Sequence, residues 1–154
     1  MFALRMIQLI ETHAAKLSEE LLYRLERSEN CRELTRRVPP EELRMRTHEI
    51  YRNLSQWLLE KTQAEIEERY VGLGLRRAAQ GVPFSELLYA FSMTKECLWE
   101  HLEQDALLED PLELIGNLNL LHAVGRFFDR AAHAAAMGYE TARQQHEHVS
   151  ARAS

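Results

Sequence analysis

The chain reads as an all-α bundle of five or six helices, the last of them long. Apolar residues recur at steps of three and four through most of its 154 residues, the spacing of one helix face. No segment alternates polar and apolar positions for long enough to form a strand. Four prolines and six glycines are too few for the frequent turns of a sandwich or barrel. The length fits one domain with a sizeable core, and 45% apolar against 28% charged residues is a globular balance.

The first helix is expected from about Ala3 to Arg27, with Leu4, Ile7, Ile10, Ala14, Leu17, Leu21 and Leu25 on its inner face. Ser28-Glu29-Asn30 ends it, and the arginine-rich stretch to Val38 reads as a loop with one turn near Cys31–Leu34. Pro39 and Pro40, followed by Glu41 and Glu42, open a second helix, because a first turn tolerates proline and its dipole favours acid. Leu43, Thr47, Ile50, Leu54, Trp57 and Leu58 mark its buried side. A break is expected near Lys61, with Thr62 capping the third helix and Glu65 completing a capping box. Ile66, Tyr70, Leu73 and Ala78 face inward there. Gly72 and Gly74 weaken that helix by about 1 kcal/mol each, a cost that close approach of a neighbouring backbone would offset. Gly81 stops it, and Pro83 starts a fourth that runs to about Gln104 on Phe84, Leu87, Leu88, Phe91, Leu98 and Leu102. Trp99 lies at the border of that face and is expected to be core.

Asp105–Glu109 connects to the last helix, which Asp110-Pro111-Leu112-Glu113 opens with a cap, a first-turn proline and a capping-box acid. From there Leu114, Leu118, Leu121, Gly125, Phe128, Ala132, Ala135, Tyr139, Ala142, His146, Val149 and Ala153 follow alternating steps of four and three. Only Gly125 and His146 interrupt this 3.5-residue seam of a coiled coil. As one helix it spans roughly 60 Å, longer than the roughly 30–40 Å of a domain this size. One end should therefore project, and the expected division is a domain over residues 1–142 with a linker helix beginning at 143–154.

Composition narrows the function classes. A formal charge of −5 argues against sequence-independent nucleic-acid binding. Arg32, Arg36, Arg37, Arg44 and Arg46 are diluted by Glu33, Glu41, Glu42 and Glu49. Cys31 and Cys97 lie far apart in no ligand spacing, which fits reduced thiols in the cytoplasm. No signal-peptide core and no run of 18 apolar residues occurs, so no membrane partner is expected.

Chemistry finds little support. A di-iron bundle needs Glu-x-x-His pairs, and no histidine here follows a glutamate by three. His146 and His148, two apart, point to different sides of a helix. His122 and His133, eleven apart, share a face of the last helix, and His122 is the one candidate axial haem ligand. Phosphate-cradling glycine loops, nucleophile elbows and zinc helices are all missing from the sequence. No catalytic residue, metal or cofactor is assigned, and no enzymatic activity is expected.

Two blocks carry a family likeness. One runs from Glu68-Arg69-Tyr70 through Gly81-Val82-Pro83-Phe84-Ser85-Glu86-Leu87-Leu88 to Cys97-Leu98-Trp99-Glu100-His101-Leu102. The other comprises Gly125-Arg126-Phe127-Phe128-Asp129-Arg130-Ala131 and Gly138-Tyr139-Glu140. Over about residues 5–145 the chain resembles the N-terminal sensory domain of stressosome co-antagonist (RsbRD-type) proteins. The resemblance implies a globin-like fold without haem and a homodimer. It also implies a C-terminal helix that passes a signal to an output module: a histidine kinase, a STAS domain or a helix-turn-helix regulator. The chain itself contains no such module. A haem- or small-ligand-binding globin-type sensor, with its pocket between the helices of Trp99 and His122, is the alternative.

Overall fold

The computed structural model describes residues 2–105 and 111–153, with side chains from Met6 to Gln104 and from Leu118 to Ala153. Within these bounds every regular element is helical: α1 Phe2–Thr12, α2 Ala14–Arg27, α3 Arg32–Arg37, α4 Pro40–Arg52, α5 Gln63–Ala79, α6 Phe84–Asp105 and α7 Pro111–Ala153. A 3₁₀ turn at Glu29–Cys31 precedes α3, and a π turn at Gln56–Glu60 follows α4. The all-α expectation is met. The Asp110 cap and the side chain of Leu114 lie outside the described residues.

The expected first helix is divided at His13. Thr12 Oγ1 donates back to the Gln8 carbonyl at 2.8 Å, a bond that bends helices. His13 turns so that Nδ1 lies 3.1 Å from Nε2 of His101 on α6. Backbone bonds from His13 to Leu9 and from Leu17 to His13 carry the ladder across the bend.

The arginine-rich loop is more ordered than its composition indicates. Glu86 of α6 accepts from the amides of Glu33 and Leu34 at 2.8 and 3.1 Å, which satisfies the open N-terminus of α3. A carboxylate more than fifty residues away supplies this cap, so no local signal announces it. Similarly, Glu11 of α1 accepts from the Ser55 amide at 2.7 Å, just before the π turn. That turn swings Trp57 inward. The Thr62–Glu65 capping box at the head of α5 is formed in both directions, at 3.2 and 2.8 Å.

Ile7, Ile10, Ala14, Leu17, Leu21 and Leu25 of α1 and α2 are all buried in the chain's own core. Their stripe is thereby taken up within the chain's own core. The core closes around Tyr51, Leu54, Leu98 and Val124, and Tyr51 donates to the Thr94 carbonyl at 2.9 Å. Helix α2 packs on α4 and α6, while α7 lies mainly along α5 with side contacts to α1 and α6.

The α5–α7 crossing is unusually close. A Cβ on Gly74 would stand 1.9 Å from the Ala135 carbonyl oxygen, and one on Gly138 would stand 2.1 Å from that of Val71. Both distances are far inside van der Waals contact, and the atoms met are backbone. Gly74 and Gly138 thus let two helix backbones touch, as anticipated for Gly74. Gly72 has open space around it, so its lost propensity has no such compensation. Replacing Gly74 or Gly138 by alanine should destabilise the domain by at least about 1–3 kcal/mol, the range for overpacking. Gly72→Ala should instead add about 0.5–1 kcal/mol. Urea denaturation midpoints of the three variants check this, and equal midpoints would remove the crossing from its central place.

Candidate functional site

The elements with signalling potential are α7 and the aromatic core beneath it. Trp57, brought in by the π turn, lies in tilted contact at 5.8 Å ring separation with both Tyr70 of α5 and Phe127 of α7. Tyr70 also meets Phe91 of α6, and Phe127 meets Phe128. Four helical segments thus share one set of rings. Trp57 rather than Trp99 is the core tryptophan; Trp99 is half-buried at the edge of the cluster.

Further along α7, Tyr139 Oη donates to the Val82 carbonyl at 2.7 Å, and its ring stands edge-on to Phe84 at 5.1 Å. This ties α7 to the corner between α5 and α6. Gly81 makes that corner with φ +73°, the left-handed conformation that glycine adopts freely.

The anticipated seam is divided between interior and surface. Leu120, Val124, Phe127, Ala131, Ala134 and Gly138 form the inward line, with Phe128 and Ala135 buried beside it. Ala132, Tyr139 and Ala142 are half-exposed, and Leu118, Leu121 and Val149 are exposed at 55%, 36% and 66%. The buried line is set about one residue, or 100°, from that seam. The cause is the close crossing, which demands the small residues Ala131, Ala134 and Gly138 at the contact. What remains outside is a second strip of Leu118, Leu121, Gly125, Ala132 and Ala136, with nothing within 4 Å of a Cβ placed on Gly125. From Glu140 to Ala153 the helix is exposed except at half-exposed Ala142.

His122 is exposed, and its Nε2 lies 2.7 Å from Arg126 Nη2. His133 is exposed as well, beside Asp129 and Arg130. Neither imidazole faces the interior, where an axial ligand would have to stand. No group of three or more potential metal ligands occurs among the described residues. Both cysteines are buried thiols; burial pushes Cys31 up to about 12 and Cys97 up to about 11.

A second polar centre lies between α4 and α5. Glu42 Oε1 accepts from Arg77 at 2.8 Å and also from Arg76, while Oε2 accepts from Arg76 at 3.0 Å and Gln80 at 3.1 Å. Arg77 is 3% exposed. Burial presses its pKa down, and the Glu42 carboxylate opposes that. The hydrogen bond from Arg76, then that from Arg77, outweighs burial and holds Glu42 down at about 2. Outside this centre, Arg46, Glu49, Trp57, Lys61, Glu68 and Arg69 line an open cleft of about 580 Å³. Among the described residues, Arg46 Nε and Trp57 Nε1 are the buried side-chain nitrogens without a hydrogen-bond partner. The sequence places Trp57 on a buried face and Arg46 in an arginine-rich stretch, but the missing partners depend on what packing withholds.

The family model described as the RsbT co-antagonist protein rsbRD N-terminal domain matches residues 15–153. The chain belongs to this family. No curated protein and no solved structure matches it. As an RsbRD N-terminal domain it is a sensory domain of signal transduction, as the resemblance implied. No helix among the described residues is long and apolar enough to cross a membrane.

The Glu42 centre yields a pH test. A carboxyl whose pKa falls from about 4.5 to about 2 on folding stabilises the fold fully above 4.5, and that stabilisation is lost as pH drops towards 2. Glu42→Gln should cost about 3–5 kcal/mol at pH 7, because it leaves Arg77 buried without its charge partner. The gap between variant and wild type should close between about pH 4.5 and 2, which denaturation series at several pH values would show.

Proposed function

We propose that this RsbRD N-terminal domain is the intracellular sensing and dimerisation unit of a bacterial signalling protein. It acts through α7 on an output module such as a histidine kinase or STAS domain. The observation that carries the reading is the course of α7. One helix of 43 residues, about 65 Å long, begins on the domain, shares the aromatic core, and continues as an exposed polar tail. A change in core packing at Trp57, Tyr70 or Phe127 shifts or rotates this helix, and the tail carries the displacement outward. The membership of the family supports a sensory role, and the buried thiols fit a reducing cytoplasm.

The same helix offers the dimer surface. Leu118, Leu121, Gly125, Ala132 and Ala136 form a strip that the chain's own core leaves at least partly open. In a two-fold dimer the strip meets its own copy, small residues allow close approach, and the two tails emerge side by side as a coiled coil. Output domains joined to paired tails would feel one common rotation.

Sedimentation equilibrium at tens of micromolar should give a species of twice 18.0 kDa. The double change Leu118→Glu and Leu121→Glu should reduce it to a monomer without lowering the urea midpoint, since both residues are exposed. A wild-type chain that sediments only as 18.0 kDa would refute the dimer.

A further inference from the structure

Arg46 stands between two spaces. On its outer side is the polar cleft of about 580 Å³. On its inner side is a pocket of about 60 Å³ whose lining includes Leu25, Leu43, Ile50, Leu73 and Phe91. The other polar side chains of the inner pocket are satisfied. Thr47 Oγ1 donates to the Leu43 carbonyl at 2.9 Å, Thr94 Oγ1 to the Ala90 carbonyl at 2.7 Å, and Arg77 to Glu42 at 2.8 Å. Arg46 differs from them: its Nε is buried and meets no acceptor among the described residues. Burial first, then Arg69 and Arg77, pushes its pKa below the ordinary arginine value. A desolvated donor without an acceptor is costly to the fold. It persists in native structures where something else supplies the acceptor.

We propose that this pocket is the ligand site of the sensory domain, and that it takes a short-chain monocarboxylate with the carboxylate on Arg46 and the alkyl chain inside. Each part of the ligand is set by the pocket. Arginine only donates, so the group against Nε must accept, and a carboxylate answers a guanidinium with charge as well as hydrogen bonds. The wall beyond is aliphatic and aromatic, which selects a hydrocarbon chain over a second polar group. At about 10–15 Å³ per water-sized unit, the space of about 60 Å³ holds roughly four to six such units. That fits a chain of about four carbons. In the outer cleft Arg46, Lys61 and Arg69 are matched by Glu49, Glu65 and Glu68, so no excess positive charge calls for a polyanion. As a signal, such a ligand would act on Leu73 of α5, Phe91 of α6 and Ile50 of α4 at once. Phe91 touches Tyr70, which opens a path to α7. The signalling role of the ligand rests on the sensory reading above; its binding does not.

The test is calorimetric titration of the whole chain with sodium butyrate, beside thermal unfolding in the same series. Saturable 1:1 binding is expected, with an unfolding temperature that rises with butyrate concentration. Affinity should climb about fourfold per methylene from acetate to butyrate and stop climbing by hexanoate. 1-Butanol, which has the chain without the charge, should bind at least tenfold more weakly. Arg46→Met should abolish butyrate binding while its unliganded midpoint equals or exceeds that of wild type. Ala90→Leu, which fills the pocket and keeps the guanidinium, should abolish it too, and it carries the same test were Arg46→Met to unfold. An absence of saturable heat up to 50-fold above millimolar butyrate, about 50 mM, would overturn the proposal, as would butyrate binding indifferent to both substitutions. A monomer in the sedimentation experiment would touch the dimer alone and leave the pocket standing.

Discussion

Two glycines govern how this domain is assembled. Because Gly74 and Gly138 lack a Cβ, α5 and α7 lie with their backbones in contact, a Cβ on either being excluded by a carbonyl oxygen at about 2 Å. Helices that meet through larger side chains sit 8–10 Å apart and slide in many registers. Here the register is set by the glycine pair, and the rotation of α7 follows from it. That rotation decides which residues of α7 enter the core and which stay outside. It sends Val124, Phe127 and Ala131 inward and leaves Leu118, Leu121 and Ala132 on the other side. The aromatic cluster, the Tyr139 tie to Val82 and the exposed strip all depend on this one contact.

Much of the architecture was legible in the chain because its signals are local. Pro40, Thr62 with Glu65, Gly81 and Pro83 each act within one turn, and the helix ends fall where they place them. What escaped was decided across the fold. The ordering of α3 depends on Glu86, and the π turn that delivers Trp57 follows an amide held by Glu11. The bend at His13 comes with His101 from α6. A heptad count located the last helix and its apolar content, but it could not distinguish two neighbouring lines of small and apolar residues. Gly138 belongs to the inner line only because Val71 lies against it. The candidate site was least legible of all. Arg46 sits in a run of arginines that reads as a solvated surface, and its importance is that packing leaves Nε without a partner.

Polar burial in this core follows two opposite arrangements. Arg77 is almost wholly enclosed, yet Glu42 and Gln80 meet it. That arrangement is structural: it fixes α4 to α5 and gives no reason to change with circumstance. Arg46, three residues beyond Leu43 on α4, is only partly enclosed, yet its Nε is buried without such company. Proteins that retain an uncompensated donor forgo some stability at that point, and sites that must respond to something are where this occurs.

The tail of α7 has a consequence for anything attached to it. Past Tyr139 the helix is exposed except at half-exposed Ala142, so its facing is inherited from the crossing at Gly138. Each residue along a helix turns the chain by about 100° and advances it about 1.5 Å. Distance from Gly138, counted in residues, is therefore also an angular coordinate. Seven more residues return nearly the same facing, whereas a single one turns it by more than a quarter circle. Length in this tail is a setting of phase.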